Sequence, residues 1–398
     1  MKEMTMMLRG LIRPIGPIGP IRIIGLIGLM GLMGCKPEPP LHLFDGGDIN
    51  VNLPMVKLDL DAYWDYSTTL GQYDWRSEWY YGWDETDQQL FGNIGYSEPD
   101  IFMLRRYYTG SEPYGPHSSV LSNSIKGNSF KGRYNWGFWD ILVWNDVTTS
   151  DGVQSLNFDE QTSLEYVTAY TNPSMVATRY QAPRYTHSFY QPEDLFSAYE
   201  QGVEINRDLR GFEYDAVNNV YIKRLNLVLE PITYIYLTQV ILHNNRNRIV
   251  GVDGTANLSG FSRTTVVNTG ITDNDGITVY YNTRFKPNCD KEGESVDIAG
   301  GRLMTFGICG QNANRVKNRE ELEDPYQHFL DLTVLFNNGM DSTFVFDVTE
   351  QVRRRWKGGV VTVELDLDTI RIPSRSGGSA FDAVVKDFED GGTHEFDL

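Results

Sequence analysis

The three cysteines of this 398-residue chain are the residues whose setting says most about chemistry, and the first is the most specifically placed. Cys35 closes the stretch Leu32-Met33-Gly34-Cys35, an aliphatic residue three positions back and a small one directly before the thiol. The small residue lets a peptidase reach the bond, and the thiol is the group that acyl chains alkylate. Upstream, Lys2, Arg9, Arg13 and Arg22 make a basic opening, and residues 23–34 are uncharged. That run has the length of a signal-peptide core and is too short to span a bilayer. Residues 1–34 are therefore expected to be a cleaved lipoprotein signal with Cys35 lipidated. Residues 35–50, opening Lys36-Pro37-Glu38-Pro39-Pro40, then read as a tether that holds the folded part off the membrane.

Cys289 and Cys309 are the other two thiols. In an exported chain they could form one disulfide, contributing about 3 kcal/mol for a loop of this size, or stay two buried thiols. The six histidines (His42, His117, His187, His243, His328 and His394) are far apart in sequence. No metalloprotease, nucleophile-elbow, phosphate-loop or dinucleotide fingerprint accompanies them. Asp273-Asn274-Asp275-Gly276 has the composition of a calcium loop, but Ile271 and Asn282 fall where ligands are required, so it reads as a turn. No catalytic, cofactor-binding or metal-binding residue is assigned. An enzyme acting on a surface polymer would need two facing carboxylates, and no pair of acids is singled out.

Aromatics crowd the first half: Trp64, Tyr73, Trp75, Trp79, Tyr80, Tyr81 and Trp83, then Tyr134, Trp136, Phe138, Trp139 and Trp144. Exposed rings of this kind stack on sugars, which opens a surface glycan as a partner; buried rings fill a core. Core packing is the favoured account.

The net charge is −18, and removing residues 1–34 takes four basic residues and one acidic one, leaving −21. So acidic a chain argues against nucleic acid or an anionic lipid surface as a partner, since both are read through Lys and Arg. Arg353-Arg354-Arg355 is the only basic run and reads as a solvated face.

The elements that would position these residues are strands. Val56, Leu58, Leu60, Ala62 and Trp64 alternate with Lys57, Asp59, Asp61 and Asp65, and Val361, Val363, Leu365 and Leu367 alternate with Thr362, Glu364, Asp366 and Asp368. Both read as half-buried antiparallel strands. Residues 332–336 and 343–346 flank Asn337-Asn338-Gly339 as a hairpin, and Ile277, Val279 and Tyr281 follow the turn at Asn274. Helical signal is confined to Pro192-Glu193-Asp194-Leu195-Phe196 and residues 349–355. The mature length exceeds what one core supports, and the polar stretch 201–219 suggests a boundary. The expected fold is all-β: two tandem antiparallel β-sandwich domains, residues 51–205 and 206–398, with few short helices.

Cys35, the stretch Leu58-Asp59-Leu60-Asp61-Ala62-Tyr63-Trp64-Asp65, Tyr134-Asn135-Trp136-Gly137, the tract 227–243 and Phe344-Val345-Phe346-Asp347-Val348-Thr349 resemble a lipoprotein family of Gram-negative gut anaerobes. That family is similar to the fimbrillin and fimbrial-anchor superfamily. The resemblance implies transthyretin-like sandwiches in tandem, a lipid anchor in the outer membrane, and a surface role as fimbrial subunit, anchor or adhesin. It also implies association with fimbrial subunits by strand addition at a sheet edge. Polymerising members of the superfamily lose an N-terminal strand by cleavage after an arginine. Arg76, the first arginine of the mature chain, lies inside an aromatic stretch and is not assigned as such a site. An uncleaved, tethered accessory subunit or adhesin fits better than a shaft subunit, with a surface glycan-binding lipoprotein as the alternative.

Overall fold

The computed structural model describes residues 55–61, 75–79, 85–92, 94–147, 155–159, 166–177, 187–209, 211–289, 293–310, 324–373 and 383–385. Cys35, the signal and the tether lie outside them. In chain order the strands begin with β1 (Met55–Asp61), β2 (Ile101–Gly110), β3 (Ser119–Lys126), β4 (Ser129–Arg133), β5 (Gly137–Asn145) and β6 (Leu156–Asp159). Next come β7 (Thr168–Thr171), β8 (Pro173–Ala177), β9 (His187–Phe189), β10 (Phe196–Ile205), β11 (Glu213–Asp215), β12 (Val220–Val228) and β13 (Glu230–Pro231). The long central run is β14 (Tyr234–His243), β15 (Ile249–Ser262), β16 (Thr264–Val266), β17 (Gly276–Asn282), β18 (Arg284–Lys286) and β19 (Val296–Thr305). The last are β20 (Phe329–Phe336), β21 (Asp341–Asp347), β22 (Gly359–Asp366) and β23 (Ala383–Val385), with helices α1 (Glu85–Phe91) and α2 (Thr349–Arg354).

Two sandwiches result. In the first, the sheet β11-β12-β1-β4 faces β13-β10-β5-β2-β3. Between them lie Phe102, Leu104, Trp139, Ile141, Val143, Phe196 and Leu227. In the second, β18-β19-β14-β22 faces the seven-stranded sheet β23-β21-β20-β15-β17-β9-β8. Its core joins Tyr236, Val240 and Leu242 to Leu258, Val279, Leu332 and Phe346.

Each sandwich has one sheet with a central strand buried on both faces, and the sequence there carries consecutive apolar residues, as at residues 141–144 and 234–237. On β5, Leu142 and Trp144 point away from the first core, toward Leu156, Val167 and Ala169. These three flank or lie on the small sheet β16-β7-β6. On β14, Ile235 and Leu237 point away from the second core and are covered by Trp75, Trp79, Phe91 and Ile94. All of β14 except His243 is buried.

Strand pairing refines the sequence reading. The alternation at 361–368 is real, with Val361, Val363, Leu365 and Leu367 buried, but β22 runs parallel to β14. The Asn-Gly hairpin joins β20 to β21 with antiparallel register from Phe329↔Asp347 to Leu335↔Asp341. The expected division at 205/206 falls between β10 and β11, and sheets span it. β12 and β13 lie beyond it and pair with β1 and β10; β8 and β9 lie before it and belong to the β15 sheet.

The helix expected at 192–196 is not formed. Pro192–Leu195 is irregular chain and Phe196 begins β10. The acids that looked like first-turn residues serve neighbouring segments: Glu193 accepts from Ser155 N and Leu156 N at 2.8 Å each, and Asp194 from Ser97 N at 2.7 Å. The helix at 349–354 is present.

Candidate functional site

A cleft of about 960 Å³ is bordered by Tyr96–Ile101, Asn145–Val147, Gln191–Asp194, Arg302 and Met304. Its polar lining is engaged. Asp194 takes Ser97 N and, at 3.4 Å, Arg302 Nη2; its carbonyl accepts from Asn145 Nδ2 at 2.7 Å. Asn145 Oδ1 accepts from Phe196 N at 2.7 Å, and Gln191 Oε1 from Met304 N at 3.0 Å. Glu193 also takes the Ser155 hydroxyl at 3.0 Å. These groups tie the loops between strands together. Glu193 and Asp194, the two acids set deepest in the connections, are committed to backbone donors, which is not the geometry of a proton-transfer pair.

Two buried histidine–carboxylate clusters lie elsewhere. His328 Nδ1 is 2.8 Å from the Ser259 carbonyl and Nε2 is 2.9 Å from Asp324 Oδ2. Both partners are hydrogen-bond acceptors. Arg353 Nε reaches the same Asp324 oxygen at 2.9 Å. Burial pushes the Asp324 carboxyl up, but the hydrogen bonds and charges of His328 and Arg353 outweigh that and hold it below its ordinary value. The cluster depends on the β15 bulge at Gly260 (φ +92°), where a Cβ would sit 2.7 Å from His328 Nδ1.

In the first sandwich Asp140, 1% exposed, accepts from Gly202 N at 2.8 Å and Tyr199 OH at 3.2 Å, and His117 Nε2 lies at 2.8 Å. Burial and then the neighbouring Asp140 charge raise the Tyr199 hydroxyl. Gly202 (φ +67°) marks the β10 bulge. Neither cluster holds a serine or cysteine in line with its histidine. Both pin a bulge in place. Sequence reading missed them because most of their members come from segments distant in the chain and share no motif.

The cysteines settle one open question. Cys289 and Cys309 are two separate buried thiols, not a disulfide. β18 and β19 do pair antiparallel, as a bridge would require. However, Cys289 N bonds Val296 O at the start of β19, whereas Cys309 lies past its far end at Thr305. A ten-residue strand separates those ends by roughly 33 Å, and a bridge needs Cα atoms within about 7 Å. Cys289 packs with Trp75, Trp79 and Ile298, and burial pushes the Cys309 thiol up.

Of the aromatics, Trp75, Trp79, Tyr134, Trp139 and Trp144 are all at most 2% exposed. They are core, and form no platform for a sugar. Of the basic run, Arg354 is exposed, whereas Arg353 pairs with Asp324 and Arg355 with Glu78 at 2.8 Å. Among the described residues no group of His, Cys, Asp or Glu could hold a metal ion, and no helix is long and apolar enough to cross a membrane.

No protein-family model and no curated protein matches the chain. Solved structures do. A candidate adhesin from Bacteroides ovatus is similar over 81% of this chain and 94% of its own, at 14% identity and a TM-score of 0.44. One from Bacteroides thetaiotaomicron covers 79% and 93%, at 12% identity and 0.43. The fimbrial anchor protein Mfa2 of Porphyromonas gingivalis covers 68% and 84%, at 12% and 0.38. All three are adhesion or fimbrial proteins. The sandwich assignment rests on the strand pairing above.

Proposed function

We propose that this chain is a non-enzymatic lipoprotein of the outer-membrane surface, acting as a fimbrial anchor-like or accessory subunit or as an adhesin. The observation that carries the reading is the lipobox at Cys35 placed ahead of an all-β body. Between Cys35 and the first described strand at Met55 lie 19 residues, so the anchor would tether a β-sandwich to the membrane through a short segment. Recognition by such a body is main-chain pairing at a sheet edge or contact through a sheet face. Partners of this kind are fimbrial subunits that add a strand. The glycan alternative loses part of its motivating feature, because Trp75, Trp79, Trp139 and Trp144 are buried; Trp136 is half-buried, and Trp64 and Trp83 lie outside the described residues. The test is gentle shearing of cells followed by purification of the protein from the sheared surface fraction. Co-purification with a pilin-like subunit is expected. Recovery as a lone protein in an inner-membrane fraction would reject the reading.

A further inference from the structure

A strand at the edge of a sheet presents unpaired N–H and C=O groups, and proteins shorten, bend, charge or cover such edges. Among the described residues most edges carry one of these devices. β11, β16, β18 and β23 are three residues long, β13 is two and β6 is four. β8 opens with Pro173 and pairs irregularly with β9; β4 carries Lys131 and Arg133. Beyond its short pairing with β13, β10 has the Gly202 bulge, and Lys223 Nζ covers the Glu204 carbonyl at 2.8 Å. β22 is long, but Gln351 of α2 donates to Thr362 O at 2.7 Å and accepts from Thr362 N at 2.9 Å.

β3 has none of them. It pairs with β2 without a bulge from Ile101↔Lys126 to Tyr108↔Ser119. It holds no proline, and its single charge, Lys126, sits at its end, 3.6 Å from Asp100. Ser119, Leu121, Ser122, Ser124 and Lys126 are exposed, Leu121 by 44%. Gly127 N bonds Asp100 O, which fixes the alternation: odd residues bond β2, while the N–H and C=O of Val120, Ser122, Ser124 and Lys126 point outward.

We propose that this edge docks the β3 of a second copy of the chain, antiparallel, about a two-fold axis at Asn123. Antiparallel pairing must set outward residues opposite outward residues. The register through Asn123 does so, with Ser122 opposite the partner's Ser124. It places Leu121 opposite the partner's Ile125, and Lys126 opposite the partner's Val120, well away from the partner's Lys126. The edge is thus complementary to itself in size and polarity, and no residue of β3 repels its counterpart. Self-pairing of this kind is isologous and closes at two copies. It requires neither the anchor nor the fimbrial role proposed above.

At the axis, Asn123 and its counterpart form a non-hydrogen-bonded pair with Cα atoms about 4.5 Å apart, a spacing that accepts a disulfide. Asn123→Cys in the full chain should give a reducible band at twice the 45.4 kDa chain mass on non-reducing gels, absent from the parent. Adding Ser122→Pro removes one outward N–H and leaves the β2 bonds intact, so the band should fall at least about tenfold. Leu121→Lys should do the same, and near-UV circular dichroism identifies any variant that fails to fold. An Asn123→Cys protein that stays monomeric while folded overturns the proposal. So does a dimer indifferent to both second substitutions, or a thiol that captures a different protein in place of a copy.

Discussion

A carboxylate buried against a histidine and an arginine that donate to it stabilises the folded chain only while it is ionised. The Asp324 carboxyl is 1% exposed and sits below its ordinary value, so its contribution is fully present above the unfolded carboxylate range, near pH 4. It is lost as the pH falls from there through the folded value. Asp324→Asn should therefore cost about 3–5 kcal/mol at pH 7, read by denaturant titration, because His328 and Arg353 keep their donors without an anion. The same variant should lose less stability than the parent between pH 5 and the acid limit; equal acid sensitivity would remove Asp324 from this role. The thiols give a second residue-scale expectation. Denatured, non-reduced protein should titrate Cys289 and Cys309 with a thiol reagent, and reductant should leave the thermal midpoint unmoved. Little at this scale was legible in the sequence. Glu193 and Asp194 carry helix-start chemistry, yet their carboxylates satisfy backbone donors on other segments, and no local pattern reveals a partner so distant in the chain.

Elements were more legible, for a physical reason. Alternation marks a strand with one wet face, and it placed β17, β20, β21 and β22 correctly. It could not give the direction of β22, because a strand presents the same alternate faces whether its neighbour runs parallel or antiparallel. Nor could it show that Gln351 of α2 covers the free edge of β22, since that needs the helix laid beside the strand. Gln351→Ala should cost about 1–2 kcal/mol for two lost hydrogen bonds. It should also uncover the outward N–H and C=O of Thr362 in the middle of β22, so light scattering on heating should rise at a lower temperature than in the parent. Unchanged scattering would mean the edge is guarded by something other than Gln351.

For the whole molecule, the all-β class and the paired sheets followed from the pattern, whereas the distribution of segments between sandwiches did not. Trp75 and Trp79 precede β2 in the chain yet seal the outer face of β14, and β9 joins β17. Loss of either sandwich strips apolar cover from the other. Thermal unfolding followed by tryptophan fluorescence and by far-UV circular dichroism should give one coincident transition; two separated ones would show the halves to be independent. Cys35→Ser should leave that transition unaltered and release the protein from membranes, since acyl chains supply about 0.8 kcal/mol per buried CH₂. Persistent membrane partitioning of the variant would refute lipidation at Cys35.

The position of β1 bears on how such a chain reaches its native state. It is held between β4 and β12, with Met55 beside Arg133 on one side and Ile222 on the other. A polypeptide threaded out of a cell from its N-terminus delivers β1 early and β12 much later. Through that interval the first strand has at most one of its two neighbours. Contacts of such long sequence separation close slowly, on the millisecond-to-second scale typical of β topologies. Holding the emerging chain soluble until Val220–Val228 arrives would then fall to chaperones, and the yield of folded protein should track their supply more closely than its equilibrium stability.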